Sequence, residues 1–406
     1  MPLMRNSMGI GFKIKKAVEH LVFFVLEVLY VFYGKNRPLQ KSGIKKFLVA
    51  ESGGIGDLIM VLPAIEALNK NFPGASVSLL ASPVARGILP LFPKQGLISE
   101  VIEYDFKGRH NSLAGKLSLI MSLRRKHYDL IYSPDRGEGM REEVIMNFLT
   151  GAPRRIGFSR GKTGLLNTVH LELKDDIPIL KQNLALLKAA GLKVTKENVD
   201  LHVSEECLKD ARQLIETYGS DVSSLLIAVH PGGFWNGNYK CWPAENYSKL
   251  IMKLREELGA STVIIGSMDE AGIAEKILSR SVCSFVINLV GRTTLAQMAG
   301  IIKLSNLFIG NDSGPLHMAS VLGVPFIGIF GPTSAAQLLP DMRRGIVVSS
   351  TLSCSPCYLH QPLFKPLCHS DENSPCMKSV SVDEVMEVVR KQYNPSVGKQ
   401  ARISCE

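Results

Sequence analysis

The sequence predicts an α/β protein made of two doubly wound parallel sheets. Three observations carry that expectation. Short apolar runs end repeatedly in glycine turns that open straight into helical patterns; strands and helices alternate at βαβ spacing; and the alternation falls into two blocks separated by Leu192 to Glu206, which is poor in long apolar runs. Each strand-turn-helix junction leaves unpaired backbone N–H groups at a helix mouth beyond the strand's carboxyl end, where anions bind in open α/β sheets. Two such blocks would face one another across a cleft.

Length suits two or three domains, and 46% hydrophobic with 21% charged residues describes an ordinary globular chain. We expect an N-terminal arm at 1–40, a first α/β domain at 41–205, a second at 206–380, and a helix with a tail at 381–406. The net charge of +10 is uneven: residues 1–46 hold nine Lys/Arg against Glu19 and Glu27, leaving +3 for the other 360 residues. Basicity therefore belongs to the arm, which argues for an anionic surface near it and against nucleic acid as a partner. Within the arm, Lys13, Lys16, His20 and Glu27 form one polar stripe, and Leu21, Val22, Phe24, Val25, Val28, Leu29 and Val31 a broad apolar face. Two readings follow, a helix lying in a membrane interface through residues 1–40 or one packed on the protein's own body. Glu27 and the lack of a small-x-small site before Lys35 argue against a signal peptide.

In the first domain, Lys46 to Ala50 reads as a strand entering Glu51-Ser52-Gly53-Gly54-Ile55-Gly56-Asp57, with a helix over Leu58 to Asn71. The glycines match neither G-x-G-x-x-G nor G-x-x-x-x-G-K-[ST], which excludes the usual nicotinamide and P-loop chemistries. They bring backbone close to a ligand and present Asp57 at the helix mouth, as a helix cap or as a general base. Strands follow at Ala75–Ala81, Val101–Tyr104 and Tyr128–Tyr132, with helices at Val84–Leu91, Ala114–Arg125 and Glu142–Thr150. Arg136 and Arg141 come just after a strand end, where they would face a ligand in the crevice.

A helix at Asp175–Gly191 leads to the linker, and Lys209–Tyr218 is helical. The strand Leu225–Val229 ends in His230-Pro231-Gly232-Gly233, whose N–H groups together with Lys240 suit a diphosphate. After the strand Ser261–Ile265, Asp269 or Glu270 could accept hydrogen bonds from a ribose or cap the helix Ala271–Leu278. Phe285–Leu289 and the helix Leu295–Lys303 precede the strongest junction, where Leu307–Ile309 runs through Gly310-Asn311-Asp312-Ser313-Gly314 into a helix bounded by Pro315 and Gly323. There Asp312 or Ser313 would cap the helix, and His317 would add a hydrogen bond or charge to a bound phosphate. Val324–Phe330 closes that βαβ unit. A last helix, Val382–Tyr393, is expected to cross back to the first domain, and the tail after Asn394 to be disordered.

Cys354, Cys357, Cys368 and Cys376 cluster as C-x₂-C-x₁₀-C-x₇-C; a structural metal site and a reduced cluster or disulfide both fit. No D-x-D occurs, so no metal is expected at the reacting centre.

Gly56-Asp57 with Leu62-Pro63 and Phe72-Pro73-Gly74-Ala75, His230-Pro231-Gly232-Gly233 with Lys240 and Trp242-Pro243, and Asp312 to Ala319 with Gly323-Val324-Pro325 and Phe330-Gly331-Pro332-Thr333 together resemble glycosyltransferase family 9, the lipopolysaccharide heptosyltransferases. The likeness runs from about Lys45 to Val389. It implies a GT-B fold, with the acceptor on the first Rossmann-like domain and a nucleoside-diphosphate sugar, ADP-heptose, on the second. It makes Asp57 the base, Lys240 a diphosphate ligand, and Asp312, Ser313, Gly314 and His317 donor-site residues, with Gly232, Gly233, Asp269 and Glu270 beside them. Gly54, Gly56, Arg136 and Arg141 would then meet an anionic glycolipid acceptor. The implied reaction is an inverting, metal-independent transfer without cofactor, at the cytoplasmic face of a bacterial inner membrane. Gly232 and Gly233 stand where family members often carry hydroxyl residues, which leaves phosphate contact to the backbone. Competing expectations are a GT-B transferase for another sugar or acceptor, an NDP-sugar epimerase, and a catalytically idle sugar-nucleotide-binding protein.

Overall fold

The computed structural model describes residues 39–392 except 94–95, 137–139, 161–163, 165, 220–224, 234–237, 280–284 and 358–373, and Val28 alone before them; the side chains of Arg141 and Asn238 are also left out. The readings of the N-terminal arm and of the tail after Asn394 thus lie outside the described residues.

The first sheet joins β1 (Lys46–Glu51), β2 (Ser76–Ala81), β3 (Glu100–Glu103), β4 (Leu130–Ser133), β5 (Arg154–Ser159) and β6 (Val169–Glu172) in the order β3-β2-β1-β4-β5-β6. The second joins β7 (Leu226–His230), β8 (Ser261–Ile264), β9 (Val286–Asn288), β10 (Leu307–Asn311), β11 (Phe326–Phe330) and β12 (Gly345–Ser349) in the order β12-β11-β10-β7-β8-β9. The strand pairings are parallel, and counted from its own first strand each sheet has the order 3-2-1-4-5-6. The order reverses between β1 and β4 in one sheet and between β7 and β10 in the other, the two places where such folds hold ligands. Fully buried strands such as β7, β10 and β11 read as continuous apolar runs because helices cover both faces.

The longer helices are α1 (Ile55–Asn71), α2 (Leu113–Arg124), α3 (Met140–Leu149), α4 (Ile179–Ala189), α5 (Glu205–Thr217), α6 (Ala244–Leu258), α7 (Ala271–Leu278), α8 (Leu295–Leu304), α9 (Gly314–Val321) and α10 (Val382–Gln392). Leu119 and Leu123 of α2 close a small core over one face of the first sheet, with Leu48, Leu80, Tyr128 and Ile131. On the other face, α1 joins a core that continues without a break into α8 and α9 of the second lobe.

Four differences from the sequence reading have physical causes. The sequence reading lacks strands β5, β6 and β12; β6 and β12 are sheet edges with one residue of each buried, and β5 opens on Arg154-Arg155 and is broken by Gly157, so none carries a long apolar run. The expected helix Val84–Leu91 is a four-residue helix, Pro83–Arg86, and a 3₁₀ turn, Leu89–Leu91. The linker is not loose: the N–H of Lys193 donates to Asn71 Oδ1 (3.0 Å), that of His202 to the Leu91 carbonyl (2.8 Å), and Val199 is buried. Finally, α10 does not cross back to the first lobe; it buries Val385, Met386 and Val389 in the second lobe's core and ion-pairs Arg390 with Glu257 of α6 at 2.7 Å.

Candidate active site

The β1 turn reaches α1 through Gly54, whose extended backbone forms the helix N-cap. Asp57, three residues in, folds back so that Oδ2 accepts from the Gly54 N–H (2.9 Å), while Oδ1 accepts from Arg136 Nη2 (3.1 Å). Arg136 follows β4, and its Nη1 donates to Asn183 Oδ1 of α4 (2.9 Å); Asn183 Nδ2 donates in turn to the Met60 carbonyl of α1 (3.0 Å). That loop of bonds ties three elements into one support. The result is asymmetric in exposure: the Arg136 side chain is 6% exposed, whereas the Asp57 side chain is 35% exposed. A carboxylate with both oxygens fixed from behind remains open in front, so its capping role and an outward-facing role are compatible.

In the second lobe Asn311, the last residue of β10, is wholly buried and organises the turn after β7. Its Nδ2 donates to the carbonyls of Pro231 (2.8 Å) and Gly232 (2.9 Å), and its Oδ1 accepts from Tyr247 Oη (2.9 Å) and the Trp242 N–H (3.2 Å). Asp312 follows, 5% exposed, with Lys240 Nζ at 2.6 Å and His317 Nε2 at 3.5 Å. Burial alone would raise this carboxyl; Lys240 and His317 overcome it and hold Asp312 far below the usual carboxylate range. Ser313 is the backbone N-cap of α9 but makes no side-chain cap; its hydroxyl is 3.1 Å from His230 Nδ1 instead. Burial pushes His230 below its ordinary value, against the pull of Glu270, which favours the neutral ring. Asp312 is thus committed to cations, and neither its carboxylate nor the Ser313 hydroxyl caps the α9 mouth.

Glu270 is buried, accepting from the Ser267 N–H and hydroxyl, both at 2.5 Å. It fills the space beneath the β7 turn: a Cβ on Gly232 would stand 2.4 Å from Glu270 Oε1, so a larger residue there would require the Glu270 side chain to move. Asp269 beside it is exposed. Gly233 lies over Lys240, where a Cβ would stand 3.3 Å from the lysine Cβ.

The lobes meet at their helix mouths. A Cβ on Gly56 would lie 2.9 Å from His317 Cδ2, and one on Gly314 2.9 Å from Ile55 Cβ. The structure therefore brings Gly54, Gly56, Asp57 and Arg136 to one side of a contact whose other side is His317, Gly314, Ser313, Asp312 and Lys240. Arg141 lies at the start of α3, and its side chain is outside the description. Sequence reasoning missed the roles of Asn183, a polar residue in a helical stretch, and of Asn311 and Glu51, which lie within the two glycine turns but have partners that the turns do not reveal. Of the cysteine cluster, Cys354 is exposed, Cys357 partly buried and Cys376 buried, while Cys368 is outside the described residues; among those described, no three metal-binding side chains converge.

A carboxylate open to an incoming hydroxyl, opposite a cationic helix mouth suited to a leaving diphosphate, is equipped for group transfer between the two lobes. Residues 116–367 match the family described as glycosyltransferase family 9 (heptosyltransferase). The chain is 26% identical over 316 residues to lipopolysaccharide heptosyltransferase 2 of Escherichia coli K12, spanning 75% of this chain and 87% of that protein. Among solved structures, the family 9 glycosyl transferase of Veillonella parvula superposes with a TM-score of 0.70 at 22% identity over 86% of this chain and 97% of that one. The E. coli ADP-heptose lps heptosyltransferase II gives a TM-score of 0.64 at 21% identity, over 85% and 98%. These likenesses fix the fold as GT-B, and with the family's pattern covering more than half of its residues, the chain belongs to glycosyltransferase family 9 and is a glycosyltransferase.

Proposed function

We propose that the enzyme transfers a heptose from ADP-heptose to a lipopolysaccharide core acceptor with inversion at the anomeric carbon. The reading is carried by the open Asp57 carboxylate set against the α9 mouth across the lobe contact, and it is supported by the donor and acceptor named for the E. coli relatives. Residues 41–205 would hold the acceptor and residues 206–380 the donor. Asp57 takes the proton of the attacking hydroxyl; the oxygen forms the new glycosidic bond as the bond to the diphosphate breaks. Charge arriving on the leaving diphosphate is met by the N–H groups of Ser313 and Gly314, by Lys240 and by His317. These groups do what a metal does in other transferases, so chelator is expected to leave the rate unchanged.

The test is transfer by purified enzyme from ADP-heptose to a heptose-deficient core, with the anomeric configuration of the product read by NMR. No product from wild type with any core acceptor would refute the assignment. Attachment to a membrane surface through residues 1–40 belongs to the same proposal. It is supported by α2 of the first lobe, where Leu113, Leu117 and Met121 are 74%, 48% and 48% exposed along one stripe. From Lys107 to His127 the chain carries six Lys/Arg and no acid.

A further inference from the structure

We propose that Glu51 is a positioning residue for the base, present in the working enzyme as a neutral carboxylic acid so that Asp57 is the anion Arg136 serves. The proposal rests on the reading of Asp57 as base. Glu51 is the last residue of β1 and is 3% exposed. Its Oε1 accepts from the Gly53 N–H at 2.9 Å, while Oε2 is enclosed and meets no donor. Gly53 holds the two acids together: a Cβ there would stand 2.7 Å from Asp57 Oδ2 and 2.7 Å from Glu51 Oε1, so the carboxyl groups are no more than twice that distance apart.

The groups that bear on Glu51 are Asp57 from α1, Asp135 and Arg136 from the chain after β4, Glu143 from α3 and Tyr132 from β4. One cation stands among three other acids, and its guanidinium already donates to Asp57 and Asn183. Two carboxylates this close, one of them enclosed, do not both ionise; the one with access to water keeps the charge. Burial first, then Asp57, outweigh the pull of Arg136 and push Glu51 up to about 8. A proton on Oε2 removes the buried charge from a carboxyl whose second oxygen no donor stabilises. Above about pH 8 the proton leaves, and a second anion competes with Asp57 for Arg136.

The test compares wild type with Glu51→Gln, which keeps the neutral shape, and with Asp57→Asn. Thermal midpoints across pH need no substrate. The folded value lies above the ordinary carboxylate value, so the native state holds a proton that the unfolded state releases. Wild type should then lose stability relative to Glu51→Gln as pH rises from about 5 to about 8, and no further above that. A midpoint difference that stays constant with pH would overturn the proposal. In transfer assays, Glu51→Gln should keep its rate to within about threefold at pH 7 and lack the alkaline fall that wild type shows near pH 8. A fall shared by both, or a folded Glu51→Gln as inactive as Asp57→Asn, would also overturn it. Absence of any transfer by wild type would count against the transferase reading, while the melting comparison would still decide the state of Glu51.

Discussion

The two lobes place an aspartate at their switch points and use it in opposite ways. Each sheet has the strand order 3-2-1-4-5-6, and in each an aspartate on one switch strand's turn meets a cation from the other's: Asp57 with Arg136, Asp312 with Lys240. The polarity is swapped, since the first lobe puts the acid after its first strand and the second puts it after its fourth. Exposure separates them further, 35% for Asp57 against 5% for Asp312. One fold with one kind of ion pair therefore yields an accessible carboxylate held by a buried cation, and a buried carboxylate holding a more accessible one. On the proposed function, the first arrangement opens the acid to the acceptor hydroxyl, and the second sets Lys240 and the helix mouth toward the diphosphate.

Substitutions at the two pairs should break along that line. Asp57→Asn keeps the cap and the fold; we expect turnover to fall by about 10²–10⁴-fold, with nucleoside diphosphate affinity unchanged by calorimetry. Activity within tenfold of wild type would remove Asp57 from the base role. Lys240→Met strands the buried Asp312 with His317 alone, so unfolding free energy should drop by about 3–5 kcal/mol and donor affinity with it. Arg136→Met, by contrast, leaves an acid that water reaches and takes one donor from the neutral, buried Asn183 Oδ1, rather than stranding a buried charge. It should lower the transfer rate by about tenfold through loss of orientation while costing less stability than Lys240→Met. Equal destabilisation by the two, measured by urea unfolding, would erase the distinction drawn from exposure. The acid limb sharpens it: the Asp312 carboxyl, held far below its unfolded value, contributes stability above about pH 4 that is lost as pH falls. Asp312→Asn should be less stable at neutral pH and flatter below pH 4.

Much of this was legible because parallel sheets covered on both faces write their central strands as uninterrupted apolar runs, as Leu226–His230 and Phe326–Phe330 do. The glycine turns likewise announced both helix mouths, and the N-terminal Asp57 was marked by its place after Gly53-Gly54-Ile55-Gly56. Burial at a turn was not legible. Asp312 and Asp57 look alike in sequence, and what distinguishes them is the arrival of Lys240 and His317 on both sides of one and of a single guanidinium behind the other. Asn183 and Asn311 act through partners far along the chain, Met60 for the former and Pro231 for the latter, so no local spacing reports them. Glu51 closes a strand that is apolar after Lys46, and an isolated acid there reads as a strand end until Asp57 is folded beside it.

The smallest expected effect concerns the contact that turns two similar lobes into one site. Gly314→Ala would set a Cβ 2.9 Å from Ile55 Cβ, and Gly56→Ala one 2.9 Å from His317 Cδ2. Neither neighbour yields easily. Ile55 is clashed at its Cβ, close to the backbone of α1, and the His317 ring is buried against Asp312. Overpacking inside a single core costs about 1–3 kcal/mol, but a clash between lobes can be relieved by a small shift of one against the other, which limits the loss of stability and separates Asp57 from the α9 mouth. Both variants should therefore lose kcat/KM by about tenfold while melting within a few degrees of wild type. Gly272→Ala, in α7 with open space around it, is the control and should leave both unchanged. If instead Gly314→Ala melts much earlier at full kcat/KM, the lobes behave as one rigid core and the site does not depend on how closely they approach.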